Sequence, residues 1–118
     1  MIQEAYVSFE VAKLLKDKGF DIPTWTFYIE NEIFHYNYTS SNSELVDEVI
    51  SAPTHQMVCA WLRERKIDII VFHERLPEDC YWARIEKYPY TEHQQEPIYQ
   101  TYEEAVEAAC LYVLNNLI

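Results

Sequence analysis

Four histidines and three cysteines are the side chains in this chain best suited to acid–base, metal or nucleophilic chemistry, and their spacing does not bring them together. No two of His35, His55, His73 and His93 stand three or four residues apart. His73-Glu74 also lacks the second histidine of a zinc-protease helix. Strand alternation groups His35 with Ile33 and Asn37, and His73 with Ile69 and Val71 on a core-facing row, so each histidine reads as a half-buried, hydrogen-bonded structural group. Cys59, Cys80 and Cys110 are an odd number at wide spacing, which argues against a disulfide framework, and Cys59 and Cys110 fall within apolar helical patterns where a thiol packs as a small hydrophobe. A cysteine becomes nucleophilic when a base and positive charge lower its pKa. Cys80, beside Glu78 and Asp79, has the opposite surroundings, and the three thiols read as inert. One glycine, Gly19, rules out the glycine-rich phosphate loops of Walker and Rossmann sites. The residues therefore point to no catalytic set, no cofactor and no metal centre, and to a protein that is not an enzyme.

Length and composition frame that reading. A chain of 118 residues, 49% apolar and 15% aromatic, fits one globular domain spanning 1–118 with a single core. Met1 to Glu10 has neither the basic start nor the apolar run of a signal peptide, and no stretch approaches the eighteen or so residues needed to span a bilayer. A cytoplasmic location is expected. Twenty acidic against nine basic residues give a net charge of −11, which repels phosphate backbones and anionic membranes and disfavours direct contact with either. The charge serves solubility. An alternative use is mimicry of nucleic acid by rows built from Asp17, Asp21, Asp47, Glu48, Glu64, Glu103, Glu104 and Glu107. Lys16, Lys18, Arg63 and Arg65 interrupt those rows.

The elements that must position these residues are legible in turn. Ser8 caps a helix over about Phe9 to Lys18, with Val11, Leu14 and Leu15 on its apolar stripe and Gly19 beyond its end. Pro23 stops this unit. Thr24 to Glu30 and Ile33 to Thr39 alternate as strands around a polar hairpin turn, and Thr39 to Glu44 reads as a loop. Leu45 to Ile50 suits a helical turn as well as a short strand. Pro53 fits the first turn of a second helix carrying Met57, Val58, Trp61 and Leu62. Ile67 to Glu74, apolar on both faces, then reads as a central strand, and the turn at Leu76 to Asp79 leads to another over Cys80 to Lys87. Tyr88 to Pro97 holds two prolines and no periodicity, and reads as a surface loop. Thr101 to Glu104 is a capping box opening the last helix.

The fold class is thus α+β, in the order α-β-β-α-β-β-α, with an antiparallel sheet of two hairpins and three helices packed on one face. An internal echo accompanies it: Val11, Leu15, Lys16, Asp17, Lys18, Phe20, Asp21 and Ile22 reappear as Val58, Leu62, Arg63, Glu64, Arg65, Ile67, Asp68 and Ile69, as an internal duplication would leave them.

Ten tyrosines and three tryptophans are the chain's surplus. With the helices on one face, Tyr28, Ile70, Phe72 and Trp82, with the Phe34, Tyr36 and Tyr38 row or its neighbour, fall on the other, next to Tyr88 and Tyr90. Monomers rarely expose so much apolar surface, so the face is covered by a dimer partner, by the Tyr88 to Pro97 loop folded back, or by a bound ligand. The expectation is a non-enzymatic interaction module that dimerises or binds another protein through a surface of Tyr28, Ile70, Phe72, Trp82, Tyr88 and Tyr90. The alternative is a small-ligand binder in which Trp82, Tyr88 and Tyr90 stack on a ligand held against the 88–97 loop.

The segments Ser8 to Phe20, Ala52 to Met57, Trp61 to Glu64 and Thr101 to Ala105 resemble those of short uncharacterised proteins in gut bacteria and their prophages. The resemblance touches nearly the whole chain and implies a mobile-element origin. It carries no activity, cofactor or site residue.

Overall fold

The computed structural model describes residues 4–46, 48–75, 78–89 and 91–118, and of residues 91–97 the backbone alone. Within them the fold is α+β and its sheets are antiparallel, with helices and hairpins in the expected order. Two compact units divide the chain, residues 1–54 with Ile118 and residues 55–117. The two hairpins lie in separate sheets, one in each unit, and each gains a third strand. Among the described residues no helix is long and apolar enough to cross a membrane.

The first unit opens with α1 (Phe9–Asp17), whose Ser8 Oγ accepts from the Val11 N–H at 3.2 Å. At its other end the Gly19 N–H donates to Lys16 O and the Phe20 N–H to Leu15 O, a Schellman pair that needs a left-handed residue between them. Gly19 supplies it at φ +92°. Val11, Ala12 and Leu15 are buried, and α1 packs on β3 (Val49–Ser51). This short strand lies in the stretch that the residues left open between helix and strand. It pairs with β1 (Thr24–Ile29), and β1 pairs in turn with β2 (Glu32–Ser40), giving the order β2-β1-β3. Ile29 faces Glu32 across a two-residue turn in which both Glu30 and Asn31 have positive φ, the geometry that follows the twist of the strands.

Buried Asn42 organises the loop after β2. Its Nδ2 donates to Phe20 O at 2.8 Å and its Oδ1 accepts from the Ser51 N–H at 2.9 Å, which ties the end of α1 to β3. Next to it the Ser43 N–H donates to Asp21 Oδ1 at 2.7 Å, a bond that holds the exposed Asp21 carboxyl below its usual pKa.

The second unit starts with α2 (His55–Glu64), which buries His55, Val58, Trp61 and Leu62. Pro53 precedes this helix instead of occupying its first turn, and its carbonyl accepts from the Val7 N–H at 3.0 Å within the first unit. Next comes β4 (Ile67–Glu74), and after it β5 (Cys80–Lys87) and β6 (Thr91–Tyr99). The sheet order is β4-β5-β6, so β4 is an edge strand and not the central one that its two apolar faces implied. The centre falls to β5 because residues 91–99 form a strand where a loop was expected. Prolines at 89 and 97 obscure the pattern. Position 97 is tolerable because β6 is an edge strand and the ladder with β5 shifts register between Tyr81 and Ala83, opposite that segment. Thr101 caps α3 (Tyr102–Asn116) by accepting from the Glu104 N–H at 3.1 Å, and α3 buries Ala105, Val106, Ala109, Cys110, Val113 and Leu114. Both helices pack on the sheet face bearing Ile67, Ala83 and Ile85, which are buried.

Lys66 occupies the place in the second unit that Gly19 holds in the first, and it too is left-handed, at φ +66°. The echo is therefore an echo of helix ends. The sheets differ in topology, since the strand after α1 is central and the strand after α2 lies at an edge.

Candidate functional site

Residues expected to form one interaction surface are dispersed. Phe72 and Trp82 face each other across β4 and β5 with rings stacked at 4.4 Å and 15°, and Ile70 lies on the same face two residues before Phe72. Arg84, opposite Ile70, lays its guanidinium 5.2 Å from the Phe72 ring and its Nε 3.1 Å from Glu86 Oε2. Trp82 Nε1–H donates to Glu74 Oε1 at 3.1 Å. This face is half-buried and polar at its margins. Tyr28 belongs to the other sheet, where its hydroxyl donates to Val7 O at 2.7 Å and its ring meets Phe9 edge-on at 5.5 Å. Tyr88 is 66% exposed, and Tyr90 lies outside the described residues. Two shallow concavities of about 310 and 300 Å³ are lined by Lys16, Phe20 and Asn42 and by Asp79, Ile98 and Tyr99. Trp82 and Tyr88 line neither.

The most exposed aromatic surface is instead β2. Phe27 of β1 is buried and touches Tyr36 and Tyr38 at ring distances of 5.3 and 6.3 Å. Phe34 and Tyr38 beside it stand open on the same face, and Ile33, His35 and Asn37 are exposed on the opposite one. His35 meets Tyr6 edge-on at 5.5 Å. From Ile33 to Ser40 the strand carries no charged residue, and in its sheet it pairs on one side only.

A second constellation lies within the second unit, between α2 and α3. His55 Nε2 is 2.9 Å from Glu107 Oε1, and His55 Nδ1 is buried without a hydrogen-bond partner. One turn further along each helix the thiols of Cys59 and Cys110 hydrogen-bond each other. The bond from Cys110, aided by His55 and Arg63 a turn away on either side, lowers the Cys59 pKa to about 7 against the opposing effect of burial. Cys110 is pushed up by the same bond, by burial, and by the negative charge of Cys59 and Glu107.

Of the three thiols expected to be inert, Cys59 is the one whose pKa the surroundings lower, with His55 and Arg63 one turn away on either side. The signal was present as His55, Cys59 and Arg63 at four-residue spacing on one helix face; the missing half was the partner helix. His73, expected on a core-facing row, is exposed, with Nε2 3.2 Å from Asp79 Oδ1 and its ring stacked on Tyr81 at 4.3 Å. The side chain of His93 is outside what the structure describes. Among the described residues no three His, Cys, Asp or Glu side chains converge on a common metal position, so the four groups between α2 and α3 act as two pairs. Comparison of the chain with family models, with curated proteins and with solved structures finds no match.

Proposed function

We propose that this protein is a non-enzymatic intracellular interaction module that assembles with a second copy of itself through the open edge of β2. The observation that carries this reading is the strand itself: nine residues at a sheet edge, exposed on both faces, aromatic, and free of charge from Ile33 to Ser40. Sheet edges are ordinarily shielded by charges, prolines or bulges, because their unpaired N–H and C=O groups recruit further strands; β2 shifts register against β1 between His35 and Ser40, so its regular edge is the stretch from Ile33 to His35. The pair Ile29 and Glu32 closes the hairpin turn, so alternation directs the backbone groups of Ile33 and His35 away from β1, where an incoming strand can pair with them. A chain of charge −11 repels its own copies over most of its surface, and a neutral stretch is where two copies approach at least cost. Three unpaired cysteines suit a reducing compartment.

Sedimentation over a range of concentrations tests the reading. A dimer that Tyr36→Lys separates and Trp82→Glu leaves intact is the expected result. A monomer at high micromolar concentration, or a dimer that only Trp82→Glu separates, rejects the β2 edge.

A further inference from the structure

We propose that Cys59 and Cys110 are a reversible thiol–disulfide pair, with Cys59 the site of attack on a hydroperoxide and Cys110 the thiol that resolves the product. Four observations converge on this assignment. The two thiols are in direct hydrogen-bond contact across α2 and α3 without being joined. Their exposures differ in the required sense: Cys110 is fully buried, whereas Cys59 is half-buried. His55 and Arg63 lie one turn before and one turn after Cys59 on the same helix, placing a base and a cation beside the attacking sulfur. Glu107 anchors His55 from α3 at 2.9 Å, and the buried His55 Nδ1 has no hydrogen-bond partner. The low Cys59 pKa, about 7, is consistent with this setting, and the raised Cys110 pKa keeps its thiol protonated as the donor.

The chemistry balances without a cofactor. The Cys59 thiolate attacks one oxygen of hydrogen peroxide, the O–O bond breaks, and the departing hydroxide takes a proton and leaves as water, so that Cys59 is oxidised to a sulfenic acid. Cys110 sulfur then displaces the sulfenic hydroxyl, which leaves with the Cys110 proton as a second water, and the S–S bond forms. Two thiols and one peroxide thus give one disulfide and two waters. A dithiol reductant returns two electrons and two protons.

Neighbouring charges that bear on Cys59 are His55 and Arg63 from α2 and Cys110 and Glu107 from α3. Hydrogen peroxide added to the reduced full-length protein near neutral pH, followed by intact-mass measurement and peptide mapping, tests the assignment. The expected product has lost two hydrogens, contains a Cys59–Cys110 peptide pair, and reverts with dithiothreitol. Cys80→Ser forms the same bond, and Cys110→Ser accumulates a sulfenic acid on Cys59 that dimedone captures. Alkylation of Cys59 by iodoacetamide has its midpoint near pH 7. His55→Gln, with unchanged circular dichroism, slows oxidation about threefold for each unit of pKa regained. A disulfide that involves Cys80, a chain that stays fully reduced at millimolar peroxide, or dimedone capture at Cys80 and not Cys59 overturns the proposal. So does an alkylation midpoint at an ordinary thiol value.

Discussion

His55 and Glu107 meet at 2.9 Å across α2 and α3, and their contact sits one helical turn from the hydrogen-bonded thiols of Cys59 and Cys110. All four side chains belong to α2 and α3, helices whose apolar stripes are legible in the sequence. A pair such as His55 and Glu107 is worth little in net stability while both partners are present, and removing one strands the other. Glu107→Ala therefore lowers unfolding stability by about 1–3 kcal/mol in urea titrations, because it leaves a 9%-exposed imidazole without a partner. Glu107→Gln, which can still accept from Nε2, costs less.

The two cysteines impose opposite pH dependences. An acid whose folded pKa is depressed, such as Cys59 at about 7, contributes stability above its unfolded pKa near 8.5 and loses it as pH falls through 7. Cys110, raised by its bond to Cys59 and by burial, works against folding once the unfolded thiol begins to ionise above about 8.5. Stability of the reduced protein, relative to a Cys59→Ser/Cys110→Ser variant, is expected to rise from pH 7 to a maximum near 8.5 and to fall beyond it. Chemical unfolding of both proteins across that range, under reductant, checks the difference.

Lys66 takes up a left-handed conformation at a helix end where the first unit places Gly19. A side chain with a Cβ pays about 1 kcal/mol in this region. Lys66→Gly is expected to stabilise the protein by up to about 1 kcal/mol, and Gly19→Ala to destabilise it by about as much. Open space surrounds the Gly19 Cβ position, so the second effect is conformational strain and not a clash. Melting temperatures of the two variants should move in opposite directions.

Asn42 satisfies Phe20 O and the Ser51 N–H with one side chain. Asn42→Leu preserves volume and leaves both backbone groups unpaired in a buried setting, at a cost of about 2–5 kcal/mol, seen as a lower urea midpoint. Asp21→Asn, which keeps an exposed oxygen acceptor for the Ser43 N–H and removes only its charge, has a far smaller effect at neutral pH and none in acid, where the wild-type carboxyl is protonated.

Local chemistry made much of the architecture readable from the residues alone. Ser8 and Thr101 cap helices, Gly19 ends one, Glu30-Asn31 turns a hairpin, and the spacing of Val11 and Leu15, or of Val106, Cys110 and Val113, marks buried stripes. Each of these depends on neighbours within a few positions, where propensity, capping and periodicity act. Residues 91–99 escaped that reading because an edge strand is held by backbone hydrogen bonds to β5, which leave no periodic side-chain signature and tolerate proline. Division into two sheets and the edge positions of β4 and β2 in them are likewise matters of strand partnership between distant segments. Cys59 and Cys110 stand about fifty positions apart, each an ordinary small residue on an amphipathic helix. Only the packing of α2 against α3 makes them a pair and brings Glu107 to His55, because helix-face periodicity specifies which side is buried and says nothing of which residue it meets.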